Sequence, residues 1–150
     1  MAGRSSWVIL LREATWEVAR LTSDGVERSV AQSLERQRLA EIADPVWEAL
    51  QEQYYSGEPV LVALGSTWCL SATVSVPSAR QARQRQAMAY LLEPSLPWAA
   101  EEIVADYEFS GTRAFAVAAL SEPLAELIQR LEERGIPVES VAPLARLALA

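Results

Sequence analysis

The sequence predicts a mixed α/β fold, and three observations carry that expectation. Residues 7–11 and 60–64 are continuous apolar runs, the pattern of strands covered on both faces. Residues 68–76 alternate strictly, with Trp68, Leu70, Ala72, Val74 and Val76 on one side and Cys69, Ser71, Thr73 and Ser75 on the other. Between such strands lie stretches with the 3.6-residue period of amphipathic helices.

The elements follow in order. Residues 7–11, 15–21 and 26–30 read as an antiparallel meander, with Ser23-Asp24-Gly25 as a turn. Residues 33–43 are charged and suit a helix or a loop. Asp44-Pro45 looks like a helix start, Asp44 being the N-cap and Pro45 the first helical residue. Trp47, Leu50 and Tyr54 are spaced to share one face of that helix, and Ser56-Gly57 ends it. After the strand 60–64, Gly65-Ser66 turns the chain into the alternating strand, which Pro77-Ser78 stops. Residues 79–92 read as one helix, broken by Pro94 and Pro97. Residues 101–109 and 114–120 are strands joined through Gly111. Ser121 caps a helix with an apolar stripe of Leu124, Leu127, Ile128 and Leu131, and Glu126 and Arg130 are spaced for an ion pair. Gly135 ends that helix, Pro137 forbids its continuation, residues 138–141 form a last strand, and residues 143–150 begin another element. From residue 68 onward the order is strand, helix, strand, strand, helix, strand, which is ferredoxin-like.

Composition narrows the functions available. The 150 residues suffice for one domain or two small lobes, and 51% are hydrophobic, too many for disorder. The net charge of −7 opposes binding to nucleic acid or to an anionic lipid surface. Histidine is absent, which removes the commonest general base and metal ligand. Lysine and asparagine are absent as well, which points to a biased coding sequence. Cys69 is the only cysteine, so no intrachain disulfide can form, and a reducing compartment fits. No stretch approaches the roughly 18 apolar residues of a membrane span, and the run at 7–11 is too short for a signal-peptide core.

Few side chains offer chemistry. Cys69 has no histidine to activate it and reads as a structural thiol. Glu101, Glu102 and Asp106 are carboxylates that a hard cation would accept, but a solvated acidic edge explains them. Ser66 follows a glycine without the rest of a nucleophile elbow. No catalytic, cofactor-binding or metal-binding residue is expected. Partner contacts are expected at Arg80, Arg83 and Arg85, which open a helix where the macrodipole disfavours cations, and at Trp98, which follows Leu96-Pro97 in a loop.

Residues 60–149 resemble a known family. VLVALGSTWCLSATVSVP is similar to its strand, turn and strand ending in proline. ARQARQRQAMAYLLEPSLPWAAEEIVADYEF resembles its arginine-rich helix and the acidic stretch that follows, with Pro94 where an acidic residue is usual. AFAVAALSEPLAELIQRLEERGIPVESVAPLARLALA resembles its strand, its helix ending in "GI" or "GL", and its closing run. The family is that of type II secretion system protein L and the pilus assembly protein PilM. The resemblance implies a partial actin-like ATPase fold: residues 1–66 would form the N-terminal actin-like lobe, a meander plus helix, and residues 67–150 a ferredoxin-like inserted lobe and the start of the next element.

The resemblance also implies a role. The chain would be a non-catalytic, cytoplasmic scaffold at the face of the inner membrane. Its partners would be the assembly ATPase of a secretion or pilus system, or the cytoplasmic tail of a membrane subunit, with a homodimer possible. Nucleotide-binding members of the wider fold carry glycine and aspartate in their first hairpin, whereas WVILLREATWEVARL has neither. Two alternatives remain open here: a fragment of a nucleotide-binding actin-like ATPase, and a free-standing ferredoxin-like domain that binds a small ligand.

Overall fold

The computed structural model describes residues 6–22, 25–33 and 38–144, with side chains omitted for 26–29. The expected turn at Ser23-Asp24, part of the charged stretch 33–43 and most of the closing element at 143–150 lie outside the described residues. The chain divides into two units. One comprises Met1–Trp68 with Pro123–Ala150, and the other is Cys69–Glu122.

The first unit is built on a five-stranded sheet. Its strands are β1 (Ser6–Leu11), β2 (Thr15–Thr22), β3 (Gly25–Ser33), β4 (Val60–Leu64) and β8 (Val138–Pro143), ordered β3-β2-β1-β4-β8. β1 pairs antiparallel with β2 and parallel with β4, and β4 pairs parallel with β8. β1 therefore stands at the switch between the two pairing senses. Trp7, Val8 and Ile9 are buried in succession, as are Val62, Ala63 and Leu64. Consecutive burial requires cover on both faces, which is why these strands read as unbroken apolar runs.

Helix α1 (Ala43–Glu52) connects the meander to β4, and α4 (Ser121–Glu133) precedes β8. In α1 the buried residues are Ala43, Val46, Ala49 and Leu50; in α4 they are Leu124, Leu127 and Leu131, each leucine contributing roughly 2 kcal/mol on burial.

Asp44 is not the cap of α1. A 3-10 turn at Leu39–Ile42 runs straight into the helix, so Ile42 is the N-cap and Asp44 lies in the first turn, where it accepts from Arg134. Glu126 likewise pairs across the sequence with Arg38 at 3.5 Å, not with the expected Arg130. Tyr54 does not join Trp47 and Leu50 on a buried face. The helix stops two residues earlier, and Tyr54 is 92% exposed with φ 60°. Tyr55 goes inward instead and meets the Trp7 ring edge-on at 5.7 Å.

The second unit contains β5 (Leu70–Ser75), α2 (Ala79–Ala82), α3 (Arg85–Leu92), β6 (Ile103–Ser110) and β7 (Arg113–Leu120). The strands form an antiparallel sheet ordered β5-β7-β6. One face packs Val74, Val76, Ala114 and Ala116 against Met88 and Leu92 of α3. Ser121, expected as the cap of α4, is the helix's first residue, and its Oγ donates to the Glu102 carbonyl at 3.1 Å.

Two differences from the sequence reading have clear causes. Residues 79–92 form two helices, with Gln84 extended between them at φ −108°, ψ 110°. A continuous helix that buried Met88 and Leu92 would turn Gln81, Gln84 and Arg85 toward the same core. The break resets the phase, so Ala82 packs inward and the arginines stay exposed. The second difference concerns the ferredoxin-like order. Strand, helix, strand and strand follow that pattern through β7, but the last pair departs from it, because β8 hydrogen-bonds to β4. The second unit accordingly ends at Glu122, not at residue 150. β8 lies beside a strand buried on both faces, and its parallel pairing required a crossover that α4 supplies.

Candidate functional site

In open α/β sheets, ligands approach the carboxyl ends of the strands near the point where the strand order reverses, which in the order β3-β2-β1-β4-β8 lies between β1 and β4. Here that place is the end of β1 and β4, where Leu11 stands opposite Leu64. Two loops emerge there: the β1–β2 hairpin at Arg12, Glu13 and Ala14, and the turn from Gly65 to Trp68.

The two loops are fastened together. The Arg12 amide closes the hairpin on the Thr15 carbonyl at 2.8 Å. The Gly65 amide donates to the Leu11 carbonyl at 2.7 Å, and the Trp68 indole Nε1 donates to the Arg12 carbonyl at 2.7 Å. A Cβ on Gly65 would lie 2.9 Å from the Leu11 oxygen, so glycine is required by the close approach of the backbones. Arg12, the cation of the hairpin, faces Glu17 at 3.6 Å, and the exposed Glu13 adds another negative charge beside it. An indole against the hairpin, no glycine within it and a balance tilted toward carboxylate do not suit a phosphate. What this corner can do is hold two strand ends rigidly.

The residues expected to contact a partner lie in the second unit. Arg80, Arg83 and Arg85 are all exposed, around the break between α2 and α3. Arg80 and Arg83 belong to the first short turn, and Arg85 opens the second helix. Among the described residues, none of the three forms an ion pair. Arg85 acts on Tyr107: burial raises that phenol's pKa, and the guanidinium opposes the rise. Trp98 is half-buried in the connection before β6, apart from the arginines in sequence. The structure does not gather it with them into one described site.

The carboxylates considered for a metal are engaged separately. Glu101 accepts the Tyr90 hydroxyl at 2.6 Å, which lowers its pKa. Glu102 accepts the Ala99 amide at 3.3 Å, and Asp106 accepts the Tyr107 amide at 3.2 Å. Among the described residues, no group of three metal-ligating side chains comes together. Cys69 is half-buried, and burial pushes its thiol pKa up, away from the reactive thiolate.

Sequence reasoning missed an apolar crevice in the second unit, of about 510 Å³, bordered by Val76, Ala79, Ala82, Arg83 and Phe109. Phe109 sits near the end of β6, two residues beyond Tyr107, and is 49% exposed. The two rings stack at 6.1 Å.

No family model matches the sequence, and no curated protein matches it. Solved structures do. The cytoplasmic domain of EpsL, an inner-membrane component of the type II secretion system of Vibrio cholerae, is similar over 93% of this chain, with 20% identity and a TM-score of 0.69. The PilM–PilN type IV pilus biogenesis complex is similar over 96%, with 14% identity and a TM-score of 0.73. The chain spans 57% and 48% of the length of those two matched chains. The likeness is one of fold, and the partial actin-like fold that the resemblance implied is the one observed.

Proposed function

We propose that this chain is a non-catalytic, protein-binding part of a bacterial type II secretion or type IV pilus platform, working at the cytoplasmic face of the inner membrane. Its partner in this reading is the assembly ATPase or the cytoplasmic tail of a membrane subunit. The fold it shares with a secretion component and a pilus component supports the setting. The observation that carries the reading is the fastened hairpin, where the Trp68 indole bonds to the Arg12 carbonyl and Gly65 to Leu11. A fold whose phosphate corner is closed in this way retains its surface as its working part. Among the described residues, no helix is long and apolar enough to cross a membrane, so attachment would depend on the partner or on residues elsewhere in a longer chain.

The test is co-purification with the assembly ATPase and the membrane-subunit tails of a type II secretion or type IV pilus system from the same organism, followed by titration of each purified candidate. Saturable one-to-one binding of the ATPase or of a subunit tail is the expected result. Absence of binding to all of them contradicts the proposal.

A further inference from the structure

We infer that the crevice beside α2 in the second unit receives an acidic peptide segment of a partner protein, anchored by one large apolar side chain. The inference rests on the protein-binding reading above and names the chemistry of the contact.

The floor is apolar. Val76 closes the end of β5, Ala79 and Ala82 present the inner side of α2, and Phe109 supplies an exposed ring, held in orientation by its stack on Tyr107. A volume of about 510 Å³ accommodates an aromatic or leucine side chain. Such an anchor is the usual centre of a protein contact, with polar groups at its rim.

The rim is cationic. Arg83 borders the crevice, and Arg80 lies three residues earlier on the same short turn. Neither forms an ion pair among the described residues, although the whole chain carries −7 and has 20 carboxylates against 13 arginines. Unpaired guanidiniums beside an apolar cleft complement carboxylates that flank an apolar side chain, and their planar fork favours carboxylate over a diffuse charge. A polyanion or an anionic membrane would meet the same arginines but also the negative field of the rest of the chain. It would also leave the cleft unfilled.

The experiment is fluorescence anisotropy with the 150-residue chain and a labelled six-residue peptide, one phenylalanine flanked by glutamates. Control peptides replace the phenylalanine by alanine or the glutamates by lysines. Expected is saturable binding that weakens on adding salt. It should weaken by about tenfold or more in the double variant R80E/R83E and with the alanine peptide. The variant Phe109→Ser, checked for unchanged circular dichroism, should weaken it similarly; if that variant misfolds, the arginine and alanine-peptide arms decide. No saturable binding, equal affinity for the alanine peptide, or binding untouched by R80E/R83E overturns the inference. So does preferential capture by phosphatidylglycerol vesicles. A negative result here leaves the co-purification test standing on its own, because whole partners can bind elsewhere on the surface.

Discussion

Tyr54 at the end of α1 and Gly135 at the end of α4 hold the same place in the same helix-ending motif, with φ 60° and 81°. In each, the residue after it donates back to a buried leucine: Tyr55 to the Leu50 carbonyl at 3.1 Å, Ile136 to the Leu131 carbonyl at 2.9 Å. In each, the left-handed residue itself donates three residues back, Tyr54 to Gln51 and Gly135 to Glu132. Both ends are Schellman turns, and the residue after each left-handed position, Tyr55 or Ile136, is buried. One uses the residue that tolerates the conformation, and the other uses a tyrosine that does not.

That contrast predicts opposite effects of two substitutions. Tyr54→Gly removes the left-handed penalty and an exposed ring, and should stabilise the fold by about 1 kcal/mol. Gly135→Ala introduces the penalty and should destabilise it by about 1 kcal/mol. Thermal denaturation reads both, as Tm shifts of roughly 2–4 °C in opposite directions.

Gly65→Ala should be worse than either. Its new Cβ would meet the Leu11 carbonyl oxygen at 2.9 Å and the Arg12 Cα at 3.4 Å, both of them backbone atoms. The strand ends must separate or the Gly65–Leu11 hydrogen bond must lengthen, at a loss of about 1–3 kcal/mol. Urea titration checks this, with a lowered midpoint and an unchanged slope expected.

Trp68→Phe keeps an aromatic ring, though a smaller one, and removes the donor to Arg12. The loss should be about 1 kcal/mol, the net worth of such a bond. Hydrogen exchange of the Arg12 amide, which closes the hairpin on Thr15, should quicken in this variant, since the hairpin loses its fastening.

Tyr55 gives the fold an alkaline limit. Burial, and next the charge of Glu58, push its phenol up to about 12 from an ordinary value of 10. Its hydroxyl donates to the Glu58 carbonyl. Because the folded value is the higher one, the neutral phenol's stabilisation is complete below about pH 10 and is lost as pH rises through about 12. Stability measured across that window should fall, and Tyr55→Phe should flatten the fall.

These residues also show what the sequence discloses and what it conceals. β1, β4 and the alternation at Ala72, Val74 and Val76 were legible because the apolar pattern is dictated by which faces are covered. The paired role of Tyr54 and Tyr55 was not, because Trp47, Leu50 and Tyr54 have helical spacing and only the backbone reversal at residue 54 exchanges the two rings. The break at Gln84 was recoverable: the apolar positions Ala79 and Ala82 are out of phase with Met88 and Leu92. The destination of β8 was not, since a short strand after a helix fits either sheet, and pairing with β4 is a tertiary choice. Of the candidate contacts, the three arginines were visible by their charge. The crevice beside them required the fold, which brings Val76, Ala82 and Phe109 together from three elements.

The proposed non-catalytic role depends on the hairpin at Arg12, fastened to Gly65 and Trp68 and without a glycine of its own. The most direct measurement is calorimetric titration of Mg-ATP into the longest natural polypeptide that contains these residues, with hydrolysis followed in parallel. The proposed role predicts no saturable heat and no turnover above buffer. Micromolar binding, accompanied by protection of the Arg12 and Gly65 amides from exchange, would contradict it.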